Sequence, residues 1–398
     1  MSLTKNEELL LKALYATEAG ILIAQILGME AMISPLFYIT FLMVPLLYIS
    51  VLKRKFIMQD VLCLGIIFIA FFNVIFDSLI TDGPFSLAYL KKVIMFSMTI
   101  LFFQIGAKVK ISFNCQKFII NVVKALSLLF VIMYFMDTFR MYIFNGRVTK
   151  YLTFTFTNPN LTALFLVCFE LLIIIEFIVE KNKFIKLFNG GLSIIMAYFI
   201  VETQSRNGML VLCLFVAFLI LNLRKNIRFQ FNRLVSFIFA SWPLLFSVAY
   251  MFIMSSEKIM SFIGIFGSEG KEVDSRFNIW YRAYELFIHA PFKGAYNHMS
   301  DGTGLSQMHN THIDIAVSYG IIVLIMVIIL LFNIFYKNRN KMANRNSFLS
   351  MFSFAFTLVM GMAEAAVFSG GLGIYIFSAM FLFMSLGEDP DTLQKNEA

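Results

Sequence analysis

Long apolar runs separated by short polar breaks dominate the chain. Taking each run of about 20 residues as one membrane-crossing helix gives twelve. They span residues 9–28, 32–52, 56–76, 88–107, 118–136, 161–180, 187–204, 207–223, 234–254, 312–336, 347–366 and 370–386. The first is the least apolar, because it carries Lys12 and Glu18. The fourth carries Lys91 and Lys92 near one end, where long aliphatic stems let the ammonium snorkel. The expected fold class is therefore all-α, a polytopic integral membrane protein with about twelve transmembrane helices.

Two segments escape the pattern, roughly 137–160 and 255–311. Loops longer than about 12–15 residues are usually functional or disordered. The second is rich in large rings: Trp280, Tyr281, Tyr284, Phe287 and Phe292. That is not the composition of a disordered tract. It also holds three of the four histidines, His289, His298 and His309, with His312 at its edge. Three regions follow. Residues 1–150 hold the N-terminal helices and the start of the first long segment. Residues 151–336 form a core with the large loop, and 337–398 hold the last helices and a tail.

Composition narrows the class. Of 398 residues, 60% are hydrophobic and 14% charged, against about 45–50% and 25% in soluble domains. A soluble enzyme, a disordered chain and a secreted disulfide scaffold are excluded. Twelve helices would use roughly 240 residues, which leaves one substantial loop region and no added soluble domain. The four cysteines (Cys63, Cys115, Cys168 and Cys213) have neither metal nor CxxC spacing. The start, MSLTKNEELLLK, is a mixed-charge head and not a cleavable leader.

The net charge of +8 would suggest nucleic acid in a soluble chain. In a membrane chain the distribution matters more, because Lys and Arg concentrate in cytoplasmic loops. With the N-terminus inside, five short inner connections carry 17 cations, from Lys53-Arg54-Lys55 to Lys337, Arg339, Lys341 and Arg345. The other side carries 11, including Arg140, Arg147, Arg206, Arg276 and Arg282. Both termini then fall in the cytoplasm, and both long segments lie outside. Nucleic acid is not an expected partner.

Candidate chemistry gathers on that outer side. Residues 275–290, SRFNIWYRAYELFIHA, precede Pro291 and predict an amphipathic helix on the outer membrane face. At 100° per residue Asn278, Arg282, Glu285 and His289 share a stripe. Trp280, Phe287, Tyr284 and Phe277 fall on the opposite side. Arg282 and Glu285 have the spacing of an ordinary i,i+3 pair. Arg276 sits in the first turn, off the polar stripe, where the helix dipole disfavours a cation. Arg206 repeats this at the start of the eighth helix. An arginine beside free helix N–H groups suits an anion, and two on one side suit a diphosphate. Snorkelling or a lipid headgroup accounts for each arginine equally well.

His309 precedes Asn310 where the tenth helix begins. A neutral imidazole can take a proton from a sugar hydroxyl. An interfacial hydrogen bond is the plainer role. His309 and His312 could share a face toward a metal, but no further close-spaced ligand set accompanies them. Glu170 and Glu176 are intramembrane carboxylates, which mark function or pair with a neighbouring helix. Glu202 and Glu364 near outer ends could line an outward cavity.

Four signals occur in order. Asn158-Pro159-Asn160 opens a helix, and Thr203-Gln204-Ser205-Arg206-Asn207-Gly208 joins two helices. Ser275-Arg276 with Trp280 precedes Ala290-Pro291-Phe292-Lys293-Gly294. His309-Asn310 leads into a helix with Tyr319-Gly320. In this order and sidedness the chain resembles the O-antigen ligase / Wzy-type O-antigen polymerase superfamily over roughly 150–335. The helices before that match only in hydropathy.

The resemblance implies a polytopic glycosyltransferase in the bacterial cytoplasmic (inner) membrane, working on its outer face. It would use undecaprenyl-diphosphate-linked glycans without a nucleotide sugar, be inverting, and need no metal or other cofactor. Carried over, Arg206 and Arg276 hold the donor diphosphate and His309 acts on the acceptor hydroxyl. Arg282, Asn310, Asn160, Ser205 and Arg147 are the expected substrate-binding residues. Expected partners are membrane lipids, a flippase and a chain-length regulator. The chain departs from the family at Ala295-Tyr296, where many members have Gly-Val-Gly, and over Asn297–Gln307. Both departures bear on the acceptor side. A polymerase of repeat units into capsule, O-antigen or exopolysaccharide is the first reading. A ligase moving finished glycan to lipid A-core or another acceptor is the alternative. A twelve-helix flippase or transporter would predict internal repeats and paired midplane charges, and no repeat is present.

Overall fold

The computed structural model describes residues 1–80, 87–136, 140–144, 147–151, 159–223, 231–255, 275–295, 308–341, 345–362, 364, 368 and 373–387. Five helices come first: α1 (Lys5–Ile26), α2 (Glu30–Arg54), α3 (Met58–Ile80), α4 (Leu87–Lys108) and α5 (Phe113–Phe135). A short antiparallel hairpin follows, β1 (Arg140–Phe144) and β2 (Arg147–Tyr151). Then come α6 (Pro159–Val179), α7 (Lys183–Glu202), α8 (Arg206–Leu223), α9 (Arg233–Ser255) and α10 (Ser275–His289). The last are α11 (Thr311–Asn338), α12 (Arg345–Val359, continued by a 3₁₀ turn over Met360–Met362) and α13 (Ile374–Ser385).

Every predicted apolar run contains a helix. Nine of the described helices are long and apolar enough to cross a membrane, so the chain is a multi-pass membrane protein. The helices α8, α12 and α13 fall short of that measure. One expectation is corrected: the first outer segment is not all loop but carries the hairpin. Its strands are rich in Tyr, Ile, Phe, Val and Thr, residues that fit a pleated surface. The amphipathic helix expected at 275–290 is α10.

The bundle has a buried centre and an apolar outside. From Thr162 to Ile173 every side chain of α6 is buried, and so is every one of α13. The second half of α4 and most of α12 join them. Phe102, Phe103, Phe169, Phe354 and Phe377 meet edge to face or tilted across these helices, the arrangement aromatic quadrupoles prefer. The surrounding helices instead expose large apolar groups. Tyr38, Leu42 and Leu46 on α2 and Phe68 and Phe72 on α3 are all more than half exposed. Such a surface is stable against acyl chains, not water.

Short polar signals set the helix ends. Thr4 and Glu7 form a reciprocal capping box at α1. Ser112, Asn182 and Asn310 accept the first free N–H groups of α5, α7 and α11. Lys92 does not simply snorkel: its Nζ lies 3.3 Å from Asp314, joining α4 to α11.

Candidate functional site

The central carboxylate of the site is Glu364, just beyond the end of α12. It is almost fully buried. Its Oε1 accepts from Asn160 Nδ2 at 2.9 Å, and its Oε2 lies 3.4 Å from His309 Nδ1. Its main-chain oxygen accepts from the Thr311 hydroxyl at 3.1 Å. Three elements therefore converge on one residue. If His309 presents Nδ1–H to the carboxylate, Nε2 keeps the lone pair and can receive a proton.

The same helix end collects further ties. Asn207 Nδ2 donates to the Met360 carbonyl at 2.8 Å. Asn310 Nδ2 donates to Met362 at 3.1 Å and to Pro243 at 2.8 Å. The last carbonyls of a helix have no partner within it, and here the amides of α8 and the start of α11 supply partners. Gly361 sits in the crossing; a Cβ there would meet Thr311 Oγ1 at 2.5 Å. Asn207 fixes the position of its neighbour Arg206, which opens α8 and is exposed. Among the described residues Arg206 makes no ion pair.

The Ser205 hydroxyl caps α8 by accepting from Gly208 N–H. The Asn310 side chain is fully buried, and its oxygen takes the N–H groups of His312 and Ile313. Both residues thus act on the backbone around the site. Gln204 (φ 53°) and His309 (φ 48°) are the non-glycine residues with positive φ among those described. Each costs on the order of 1–3 kcal/mol. Each immediately precedes a cap, at the two turns that carry Arg206 and His309.

A second set of contacts locks α10 to this end. Trp280 is buried, and its indole N–H donates to the Met308 carbonyl at 2.9 Å, one residue before His309. Arg276 lies one turn earlier on the same helix, half-buried and engaged with a neighbour. Ala283 and Leu286 share the buried face with Trp280, while Tyr281, Tyr284 and Ile288 are exposed beside it. Of the rings expected opposite the polar stripe, Trp280 is buried and Tyr284 is exposed. The helix has a third, exposed aromatic flank, as interfacial helices do. Arg282 pairs with Glu285 at 3.0 Å.

The Pro291–Gly294 turn after α10 docks on a break in α11. Gly320 (φ 84°, ψ 170°) interrupts that helix, and a Cβ on it would strike the Phe292 carbonyl. Gly294 (φ 78°) needs the same freedom: a Cβ there would lie 2.5 Å from the Ser318 carbonyl oxygen. The backbones then exchange bonds, Ala295 N–H to Val317 at 2.6 Å and Ile321 N–H to Pro291 at 2.8 Å. Two carbonyls are completed from α3. Asn73 Nδ2 donates to Tyr319 at 2.7 Å and to Phe292 at 3.2 Å.

Among the expected residues, the contacts gather His309, Asn310, Asn160, Ser205 and Arg206 around the end of α12, with Arg276 attached through α10. Arg147 lies on β2, and its side chain is outside the described residues, as are Asn158, His298 and the stretch Asn297–Gln307. Glu170 and Glu176 are engaged elsewhere, with Ser193 at 2.6 Å and Lys124 at 3.6 Å. Sequence reasoning noted Glu364 only as a cavity lining, missed Asn73, and quoted Asn207 and Trp280 without the bonds they make. An intramembrane asparagine was the available signal for Asn73.

Residues 191–328 match the family model described as O-antigen ligase. Over that stretch the chain is similar to that family, and the resemblance to the O-antigen ligase and Wzy-type polymerase superfamily stands. The matched stretch contains Ser205, Arg206, Arg276, Arg282, His309 and Asn310 but not Asn73, Asn160 or Glu364. No curated protein and no solved structure matches the chain.

Proposed function

We propose that the protein is a membrane glycosyltransferase that polymerises undecaprenyl-diphosphate-linked oligosaccharide units at the outer face of the cytoplasmic membrane. Twelve membrane crossings with both termini inside would put the end of α12 on that face. The observation that carries the reading is the His309–Glu364–Asn160 cluster, on which α6, α11 and the end of α12 converge, with Asn207 beside Arg206 bonded to Met360 and Trp280 of the helix that carries Arg276 bonded to Met308. The family match supports an enzyme of ligase or polymerase type.

In this reading an acceptor hydroxyl oxygen attacks the anomeric carbon of the donor. The bond from that carbon to the phosphate oxygen breaks, and undecaprenyl diphosphate leaves with the electron pair. His309 Nε2 takes the hydroxyl proton, a step worth about 10²–10⁴-fold. Glu364 orients the imidazole and stabilises the imidazolium. Arg206 and Arg276 face the charge that grows on the leaving diphosphate, where fixed cations act most strongly. Arg282, Asn160 and Arg147 contact the glycan, while Ser205 and Asn310 hold the turns.

Purified protein should turn over lipid-linked oligosaccharide without an ion gradient. Arg276→Ala or His309→Ala should reduce turnover by at least about 10²-fold. Unchanged turnover in both would overturn the assignment. The family description equally admits a second reading, ligation of finished glycan to another acceptor. Complementation in a strain lacking the activity separates the two: ladders of repeat lengths mean polymerase, and attachment of one preformed glycan means ligase.

A further inference from the structure

A cavity of about 130 Å³ lies at the opposite end of the bundle from Glu364. That is several times the roughly 30 Å³ that one water occupies in the liquid. The junction of α2 and α3 forms one wall, and the ends of α4 and α11 form the others. Gln59 and Asn73 on α3 are 14 residues apart, or about 21 Å of helix rise. The cavity is thus well separated from the carbonyls that Asn73 binds.

Its chemistry is that of an anion site. Lys55, Lys108 and Lys337 line it, with Gln59, Asn333 and Asn338. Lys108 is already matched by Asp60, 2.7 Å away and buried. Lys55 and Lys337 are exposed and make no ion pair among the described residues, so the cavity has two uncompensated cations. It opens at the start of α3, where the helix dipole favours negative charge. Gln59 is 8% exposed, and its Nε2 donor has no partner. A buried donor without a partner costs about 1–3 kcal/mol, which a bound acceptor would recover. Gln104 lines the same space. Its Nε2 is held by Asp60, but its Oε1 acceptor has no partner. A ligand that offers both an anionic oxygen and a hydroxyl would satisfy both amides.

We propose that this cavity binds the phosphoglycerol headgroup of an anionic membrane lipid. Phe56 and Met58 flank it with 57% and 80% of their surfaces exposed. They offer acyl chains a contact that a free phosphate would not use. The site has the form of other basic pockets between membrane helices that hold acidic headgroups.

The test titrates phosphatidylglycerol, phosphatidylcholine or inorganic phosphate into the purified full chain in detergent and counts bound molecules by native mass spectrometry. Phosphatidylglycerol should bind as one tight equivalent and phosphatidylcholine should not. The double change Lys55→Gln with Lys337→Gln should weaken binding roughly twenty- to thirty-fold, about five-fold per lysine. Gln59→Leu should weaken it about five-fold at unchanged charge. Should Gln59→Leu fold poorly, Gln59→Glu brings a negative charge into the cavity and should abolish binding. Lys183→Gln with Lys186→Gln removes equal charge from the first turn of α7 and should change nothing. Displacement of the lipid by inorganic phosphate at comparable concentration would make phosphate alone the determinant and overturn the lipid assignment. No tight equivalent, or one indifferent to both Gln59 and the lysine pair, would overturn the proposal.

Discussion

At the end of the bundle where α3 begins and α4 stops, the buried charges are matched by charge. Asp60 accepts from Lys108 at 2.7 Å, from Gln104 at 2.8 Å and from the Ile57 N–H at 2.8 Å. Glu7 holds Arg54 and the Ser50 hydroxyl. At the Glu364 end most ties run from neutral amides to backbone carbonyls: Asn207 to Met360, Asn310 to Met362 and Pro243, and Asn73 to Tyr319 and Phe292. Arg206 is left exposed, and Gln204 and His309 are held in left-handed backbone. Neutral ties fix geometry without consuming the charges that a charged substrate needs. The same end accepts strained backbone, which accumulates where structure serves function. The ion pairs of the first end hold helices together, and the second end is the one to which the proposed chemistry is assigned.

The sharpest way to break this contrast is to exchange the losses. Asp60→Ala strips the partner from a buried ammonium, a change that costs about 3–5 kcal/mol. The expected result is a large fall in melting temperature in detergent and in the yield of folded protein. Turnover per folded molecule should survive. Arg206→Ala should do the reverse, leaving the melting temperature in place while turnover collapses. If Asp60→Ala abolished turnover in protein that stays folded, the division between the two ends would fail.

Intermediate effects should come from the neutral ties. Asn73→Leu leaves the Tyr319 and Phe292 carbonyls buried beside an apolar group, at about 1–3 kcal/mol. Trp280→Phe keeps a buried ring but removes the N–H that holds Met308, in the same range. Both residues lie away from the reacting groups, so thermal stability should fall moderately. Turnover should fall with it, because α10 carries Arg276 and the turn into α11 carries His309. Single-turnover kinetics with saturating donor would check this. A loss of stability with no change in rate would reduce both contacts to ordinary packing.

Much of this was legible in the chain because the bilayer makes hydrophobic runs conspicuous. Every predicted run has its helix, and α10 lies where the polar stripe and Pro291 bound it. The motif residues were legible as types at spacings. Their partners were not, because a tie such as Asn160 to Glu364 spans 204 positions and obeys no period. Gly294 and Gly320 could be quoted but not explained until their backbones met. The hairpin at 140–151 was hidden because five-residue strands carry a weak signal beside twenty-residue helices. That Tyr284 is exposed while Trp280 is buried could not be read from the stripe, because α10 has three faces. A two-sided reading of a helix suits one between water and protein, not one that also meets lipid.

The smallest expected effect concerns Arg282. Its partner Glu285 is three residues on, at 3.0 Å, with both side chains more than a third exposed. An exposed pair of this kind contributes about 0.2–0.5 kcal/mol, so Glu285→Gln should move the melting temperature barely or not at all. That makes it the reference for Arg282→Ala. If Arg282 serves only the pair, the two variants should match in stability and in turnover. If Arg282 also touches the glycan or its diphosphate, Arg282→Ala should raise the KM for donor several-fold while Glu285→Gln does not. The second result would extend the substrate surface from the ends of α8 and α11 onto the polar stripe of α10. The first would assign that stripe to solvent and leave Arg276 as the arginine through which α10 acts.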